Sequence, residues 1–215
     1  MVNKYIHILI LLLLTIVWGC KPKEEISTVQ KIKERTLQEV NKDMVTKKIV
    51  MIIANKNFRD EEYFEPKKVL SSAGIKIVTA SSSLNESIGM LGGKAKPDIL
   101  LSDIKVDDYD AIIFVGGIGS SEYWDNKIAH NIIIEALNKN KIVAAICIAP
   151  VTLANAGILK NKKATVFSSE KDKIIKSGAK YLGDGVVQDG LIITASGPNY
   201  ASEFGEKIKQ ALSSK

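Results

Sequence analysis

Cys147 lies in the segment Val143-Ala144-Ala145-Ile146-Cys147-Ile148-Ala149-Pro150, where an apolar β-branched run passes directly into a helical pattern. Ala145 and Ala149 flank it two residues away on either side, the small-residue requirement of a nucleophile elbow. A thiol at such a joint sits near a helix N-terminus, whose partial positive charge favours thiolate and predicts a lowered pKa. Pro150 suits the first helical turn, where no amide donor is needed. The chemistry would be attack by sulfur; the competing reading is a buried core cysteine, because cysteine is commonly buried.

Two further segments carry suggestive residues. Gly116-Gly117-Ile118-Gly119 follows an apolar run ending at Val115, and its glycines let backbone amides approach a developing oxyanion or simply make a tight turn. No Gly-Lys-Ser/Thr follows, and the third glycine of a dinucleotide fingerprint is absent. Arg59-Asp60-Glu61-Glu62 opens the first helical stretch, where acidic residues are favoured on electrostatic grounds alone.

Positioning these segments requires a scaffold, and from residue 48 onward the sequence supplies one. Continuous apolar runs at 49–54, 75–80, 111–115, 142–146, 164–167 and 191–194 predict strands covered on both faces. Helical patterns at 62–73, 121–138, 149–156 and 199–212 alternate with them, with Gly74 and Gly157 as C-terminal stops. Such alternation predicts an α/β three-layer sandwich with a mainly parallel sheet and right-handed crossovers. Residues 87–104 break the rhythm and predict an excursion or hairpin. Ligands in such sheets bind beyond the carboxyl ends of the strands, where all three segments arrive.

Composition narrows the partners. With 215 residues, 46% hydrophobic and 25% charged, the chain reads as one domain with an appendage, excluding disorder, collagen and disulfide scaffolds. The net charge of +6 is modest and the 6% aromatic content offers no basic and aromatic stripe, so nucleic acid is not an expected partner. Of two cysteines and two histidines, Cys20 and His7 fall in the N-terminal apolar segment, leaving Cys147 and His130. A zinc site is hard to assemble from these, and neither metal nor cofactor is called for.

The N-terminus reads as an address. Lys4 precedes an apolar run at 8–18, too short to span a hydrocarbon core of about 30 Å, which predicts a signal peptide over residues 1–19. Ile16-Val17-Trp18-Gly19-Cys20 resembles a bacterial lipobox, with Trp18 an unusual occupant, and makes Cys20 the expected lipidation site. A plain secretory signal or short anchor with an unrelated cysteine is the other reading. Residues 21–48 hold eight Lys/Arg against five Asp/Glu, so anionic headgroups would attract them. Residues 20–47 are expected to form a basic tether, partly helical or simply solvated, before the domain at 48–215. The expected place is the bacterial cell envelope, membrane-anchored and facing outside the cytoplasm.

Together the three segments resemble the ThiJ/PfpI family, the DJ-one-like branch of the flavodoxin-like, class I glutamine amidotransferase-like fold. The resemblance runs through Ala73-Gly74-Ile75-Lys76, Gly116-Gly117, the Cys147 elbow, Leu153-Ala154-Asn155-Ala156-Gly157, and Asp189-Gly190-Leu191-Ile192-Ile193-Thr194. It implies Cys147 as nucleophile, Glu62, four positions before Pro66, as the protonated carboxyl group bonding its sulfur, and Gly117 and Ile148 as oxyanion donors. It also implies that a homodimer is the default assembly. Two positions depart from the family pattern: Ile148 stands where peptidase members place His, and Phe167 where deglycase-like members often do. His130 is expected on a helix facing away from the elbow, as a surface residue. The expected activity is glyoxalase- or deglycase-like attack on a small reactive carbonyl. A peroxide-responsive redox sensor using Cys147 comes second, peptidase third and a purely structural domain fourth.

Overall fold

The computed structural model describes residues 47–183 and 185–214; the expectations for Cys20 and the tether lie outside them. The first strand, β1 (Lys48–Ile52), leads into β2 (Lys56–Phe58) and helix α1 (Asp60–Ser72). After β3 (Lys76–Ser81) come the short strands β4 (Ser87–Gly89), β5 (Lys94–Ala95) and β6 (Ile99–Leu100). Then follow β7 (Ala111–Phe114), α2 (Lys127–Asn138), β8 (Ile142–Ile146) and α3 (Pro150–Asn155). The chain closes with β9 (Lys163–Ala164), α4 (Lys171–Lys176), β10 (Lys180–Tyr181), β11 (Val186–Asp189), β12 (Ile192–Ala195) and α5 (Ala201–Ser213).

The main sheet has seven strands in the order β11-β12-β8-β7-β1-β3-β6, parallel throughout except for β11. Alternation along its strands feeds two cores. Ile49 and Met51 face Tyr63 and Leu70 of α1 with Phe204 and Ile208 of α5, while Val50 and Ile52 share the opposite core with Ile133 of α2 and Val151 of α3. This is the expected three-layer sandwich, and its continuous apolar strands follow from helices covering both faces. Helix α1 stops where expected: Gly74 has φ 83°, and the amides of Gly74 and Ile75 turn back onto Ser71 and Leu70. Gly157 ends α3 in the same left-handed conformation, at φ 81°.

Four details differ from the sequence expectation. The run 164–167 is not a strand of the main sheet; β9 pairs with β10 in a separate two-stranded ladder. The edge it would occupy is taken by β11, which folds antiparallel onto β12 through a two-residue turn with Gly190 at φ 62°. The Asp189-Gly190 pair is a hairpin signal that explains this. Helix 121–138 starts later, because Ile118–Tyr123 forms a 3-10 turn and Asn126 caps α2 by accepting from the amides of Ile128 at 2.9 Å and Ala129 at 3.1 Å. Helix α4 has no counterpart among the expected elements, since only Ile174 of its six residues is buried and so short an element shows no periodicity. The 87–104 region holds the expected hairpin, β4 with β5, and then adds β6 to the sheet edge.

Candidate active site

Strand β8 delivers Cys147 at its carboxyl end, and the residue turns with φ 63°, a conformation L-residues other than glycine rarely adopt. Holding it there costs on the order of 1–3 kcal/mol, sustained only where the surroundings over-determine the backbone. They do so here: the Cys147 amide donates to Ala195 O at 2.9 Å, and its carbonyl accepts from the Phe167 amide at 2.8 Å. The chain thus makes the sharp strand-to-helix turn that the flanking alanines permit. Cys147 is 8% exposed at the floor of a cleft of about 480 Å³.

Glu62 comes from the first turn of α1 and is fully buried. Gly116 lets it meet the cysteine, because a Cβ built on Gly116 would overlap Glu62 Oε2 and come within 2.5 Å of Cys147 Cβ and 2.7 Å of Ile146 O. Among the described residues no donor meets full hydrogen-bond geometry to either Glu62 oxygen. The Cys147 thiol and the Gly116 amide lie close enough to favour its ionised form, but burial outweighs them and pushes its pKa up to about 8. Glu62 therefore holds its proton at neutral pH.

The thiol itself departs from expectation. Burial, followed by the charge of Glu62 when ionised, pushes Cys147 up to about 12, whereas the helix-terminus argument predicts a lowered value. A helix of six residues contributes little to offset desolvation of a nearly enclosed sulfur. The backbone amides of Gly117 and Ile148, the two expected oxyanion donors, oppose the rise by donating toward the sulfur. Gly117, at φ 93°, is held against Asn57 O and Phe58 with no room for a side chain, so its amide is fixed by the first-strand loop.

The remaining acidic residues of the 59–62 segment have other work. Arg59 lines the cleft with its guanidinium bidentate to Glu61, at 2.8 and 3.0 Å. Asp60 accepts from the amides of Leu91 at 2.8 Å and Gly93 at 2.6 Å, clamping the β4–β5 turn so that Met90 enters the cleft wall. His130 is buried, at 7% exposure, not on the surface; its Nε2 lies 2.8 Å from Trp124 O. It sits at the margin of the α2 stripe made by Ala129, Ile132, Ile133 and Ala136, which faces the core. The imidazole is not among the cleft-lining groups; its partner Trp124 links it to the elbow, since Trp124 Nε1 donates to Ile148 O at 3.2 Å. Trp124, Met90, Ser169 and Glu170 also line the walls. They come from separated loops, and no spacing in the sequence marks them.

Comparison with known proteins fits this geometry. The family model for the DJ-1/PfpI family matches residues 47–211. An uncharacterised protein of Methanocaldococcus jannaschii is 47% identical over 177 residues, covering 81% of this chain and 86% of that protein. A glutathione-independent glyoxalase of Caenorhabditis elegans is 33% identical over 144 residues, covering 67% of this chain and 77% of that protein. Among solved structures, a ThiJ/PfpI domain protein from Brachyspira murdochii superposes with a TM-score of 0.77 at 35% identity, covering 78% of this chain and 97% of that one. Drosophila melanogaster DJ-1beta gives a TM-score of 0.73 at 29% identity, covering 79% and 91%. The chain belongs to the DJ-1/PfpI family.

Proposed function

We propose that the protein is a cysteine-dependent enzyme acting on small reactive carbonyls in the glyoxalase or deglycase manner, with Cys147 as nucleophile and Glu62 as proton carrier. The observation that carries this reading is a buried carboxyl group with no fixed partner, set beside a cysteine held at positive φ. A proton carrier must release and regain its proton, and a carboxyl near pKa 8 does both around neutral pH. The glyoxalase among the relatives supports the reaction class.

The steps balance with water as the only co-reactant. Sulfur adds to the aldehyde carbon of an α-oxoaldehyde, the carbonyl electron pair moves to oxygen, and the thiol proton reaches that oxygen through Glu62. The amides of Gly117 and Ile148 face the charge as it develops. Glu62, in the ionised fraction present near its pKa of about 8, then takes the proton from the former aldehyde carbon, and the freed electron pair forms an enediolate. Glu62 returns the proton to the neighbouring carbon, and the hydroxyl proton passes from the first oxygen to the second, which leaves a thioester bearing a 2-hydroxyl group. Water cleaves the carbon–sulfur bond, restoring the thiol and releasing a 2-hydroxy acid. In this glyoxalase sequence no amine is expelled, so it requires no imidazole, in keeping with Ile148 and Phe167 at the elbow.

The decisive assay is lactate formation from methylglyoxal, expected in the unmutated protein and lost in Cys147→Ser and Glu62→Gln. Lactate from Cys147→Ser at the unmutated rate would refute it. The second reading, a peroxide sensor, is favoured by the same carboxyl beside the sulfur; rapid oxidation of Cys147 to sulfinic acid without lactate formation would select it. Attachment to the membrane through Cys20 is proposed from Gly19-Cys20 after the apolar run. Cys20→Ser is expected to release the protein from the membrane fraction, and unchanged fractionation with no lipid mass on the N-terminal peptide would refute the anchor.

A further inference from the structure

The cleft walls are largely apolar. Its walls carry Met90, Ile118, Trp124, Ile148, Phe167 and Pro198, contributed by separate loops that converge around Cys147. Ile118 is 61% exposed, Phe167 42% and Met90 37%, so three large apolar side chains stand in water at one opening. Scattered exposed apolar residues are ordinary; several around one concave site mark a binding surface.

The polar groups on the same walls are already engaged. Arg59 is bidentate to Glu61, and Glu170 is paired with Lys173. Ser121 Oγ donates to Ile118 O at 2.9 Å, and Ser169 Oγ donates to Glu170 Oε1 at 2.9 Å. The charge of Arg59 is balanced by Glu61 and that of Glu170 by Lys173, so these walls offer a charged substituent no unbalanced counter-charge. An apolar substituent needs none and covers side chains that water otherwise surrounds. A cleft of about 480 Å³ is also far larger than a three-carbon dicarbonyl needs.

We propose that this cleft selects reactive carbonyl compounds bearing an uncharged apolar tail, aryl or alkyl, over small or anionic ones. The carbonyl end meets Cys147 and Glu62, and the tail lies along Ile118, Phe167 and Met90. The inference rests on the carbonyl reading of Cys147, so its test includes an arm that needs only a reactive thiol.

The full chain is assayed with phenylglyoxal, methylglyoxal and 4-carboxyphenylglyoxal, each rate referred to reaction of the same compound with a free thiol. The corrected kcat/KM for phenylglyoxal is expected to exceed that for methylglyoxal and that for the anionic 4-carboxyphenylglyoxal by at least about tenfold. Ile118→Ser and Phe167→Ser, both at exposed positions, are expected to cut that ratio severalfold. In the second arm, alkylation of Cys147 by N-phenyl iodoacetamide and by iodoacetamide is followed by mass of the Cys147 peptide, with the same correction and expectation. Equal corrected rates in the alkylation arm, or ratios unchanged in both variants, would overturn the inference. Aryl preference in alkylation without turnover of any dicarbonyl would uphold it and refute the proposed reaction instead.

Discussion

Glu62→Gln isolates the energetic consequence of burying an ionisable group at the site. The substitution keeps shape and volume, and no geometrically complete hydrogen bond is lost because the carboxyl oxygens have none. The ordinary carboxyl value is 4.5 and burial raises it to about 8 in the folded protein. Between these values the folded state binds more protons than the unfolded state, so stability falls as pH rises. The contribution of the neutral carboxyl is fully present below pH 4.5 and lost by passage through pH 8. At about 1.4 kcal/mol per pKa unit, the loss reaches about 3 kcal/mol at pH 7. Gln cannot ionise, so the variant escapes it. Urea unfolding followed by fluorescence at pH 4.5, 6, 7 and 8 is expected to show the two proteins nearly equal at the lowest pH. The variant should then become progressively more stable than the parent, by about 3 kcal/mol at pH 7. A difference independent of pH, or a variant less stable at pH 7 than at pH 4.5 relative to the parent, would refute the assignment of Glu62 as a buried carboxyl group neutral by desolvation.

The same proton governs rate. Because the Glu62–Cys147 pair must lose one proton to react, kcat/KM for methylglyoxal is expected to rise with pH through about 8, and a flat profile across that range would refute it. Gly116→Ala forces a methyl group into Glu62 Oε2, Cys147 Cβ and Ile146 O, and is expected to destabilise by about 1–3 kcal/mol and abolish turnover, read by thermal melts and the lactate assay. Asp60→Ala removes the acceptor for the Leu91 and Gly93 amides. Faster hydrogen exchange across residues 89–93 and a raised KM are expected, with kcat little changed. Fluorogenic peptides are expected to remain uncleaved, since the cleft-lining groups among the described residues include no imidazole to protonate a leaving amine; cleavage lost in both His130→Ala and Cys147→Ser would refute this.

What the sequence determines by itself is what local pattern encodes. Five of the six apolar runs and the helical stretches between them specify the layered sheet, because the periods of burial in strand and helix differ and persist for several residues. The elbow around Cys147 is equally legible, since small neighbours and a following Pro150 are requirements of the turn itself. Glu62 is legible only through the family motif, for an acidic residue at a helix start has ordinary reasons to be there. The fate of 164–167 is a tertiary decision: its residues read as a strand, but the β11–β12 hairpin holds the sheet edge. His130 is buried by helix rotation about an axis that a single residue does not reveal. The protonation of the site belongs to the fold most completely. Local reasoning sees a helix terminus and predicts an acidic thiol, whereas desolvation depends on every loop that closes over Cys147 and Glu62, and in this cleft desolvation is the larger effect.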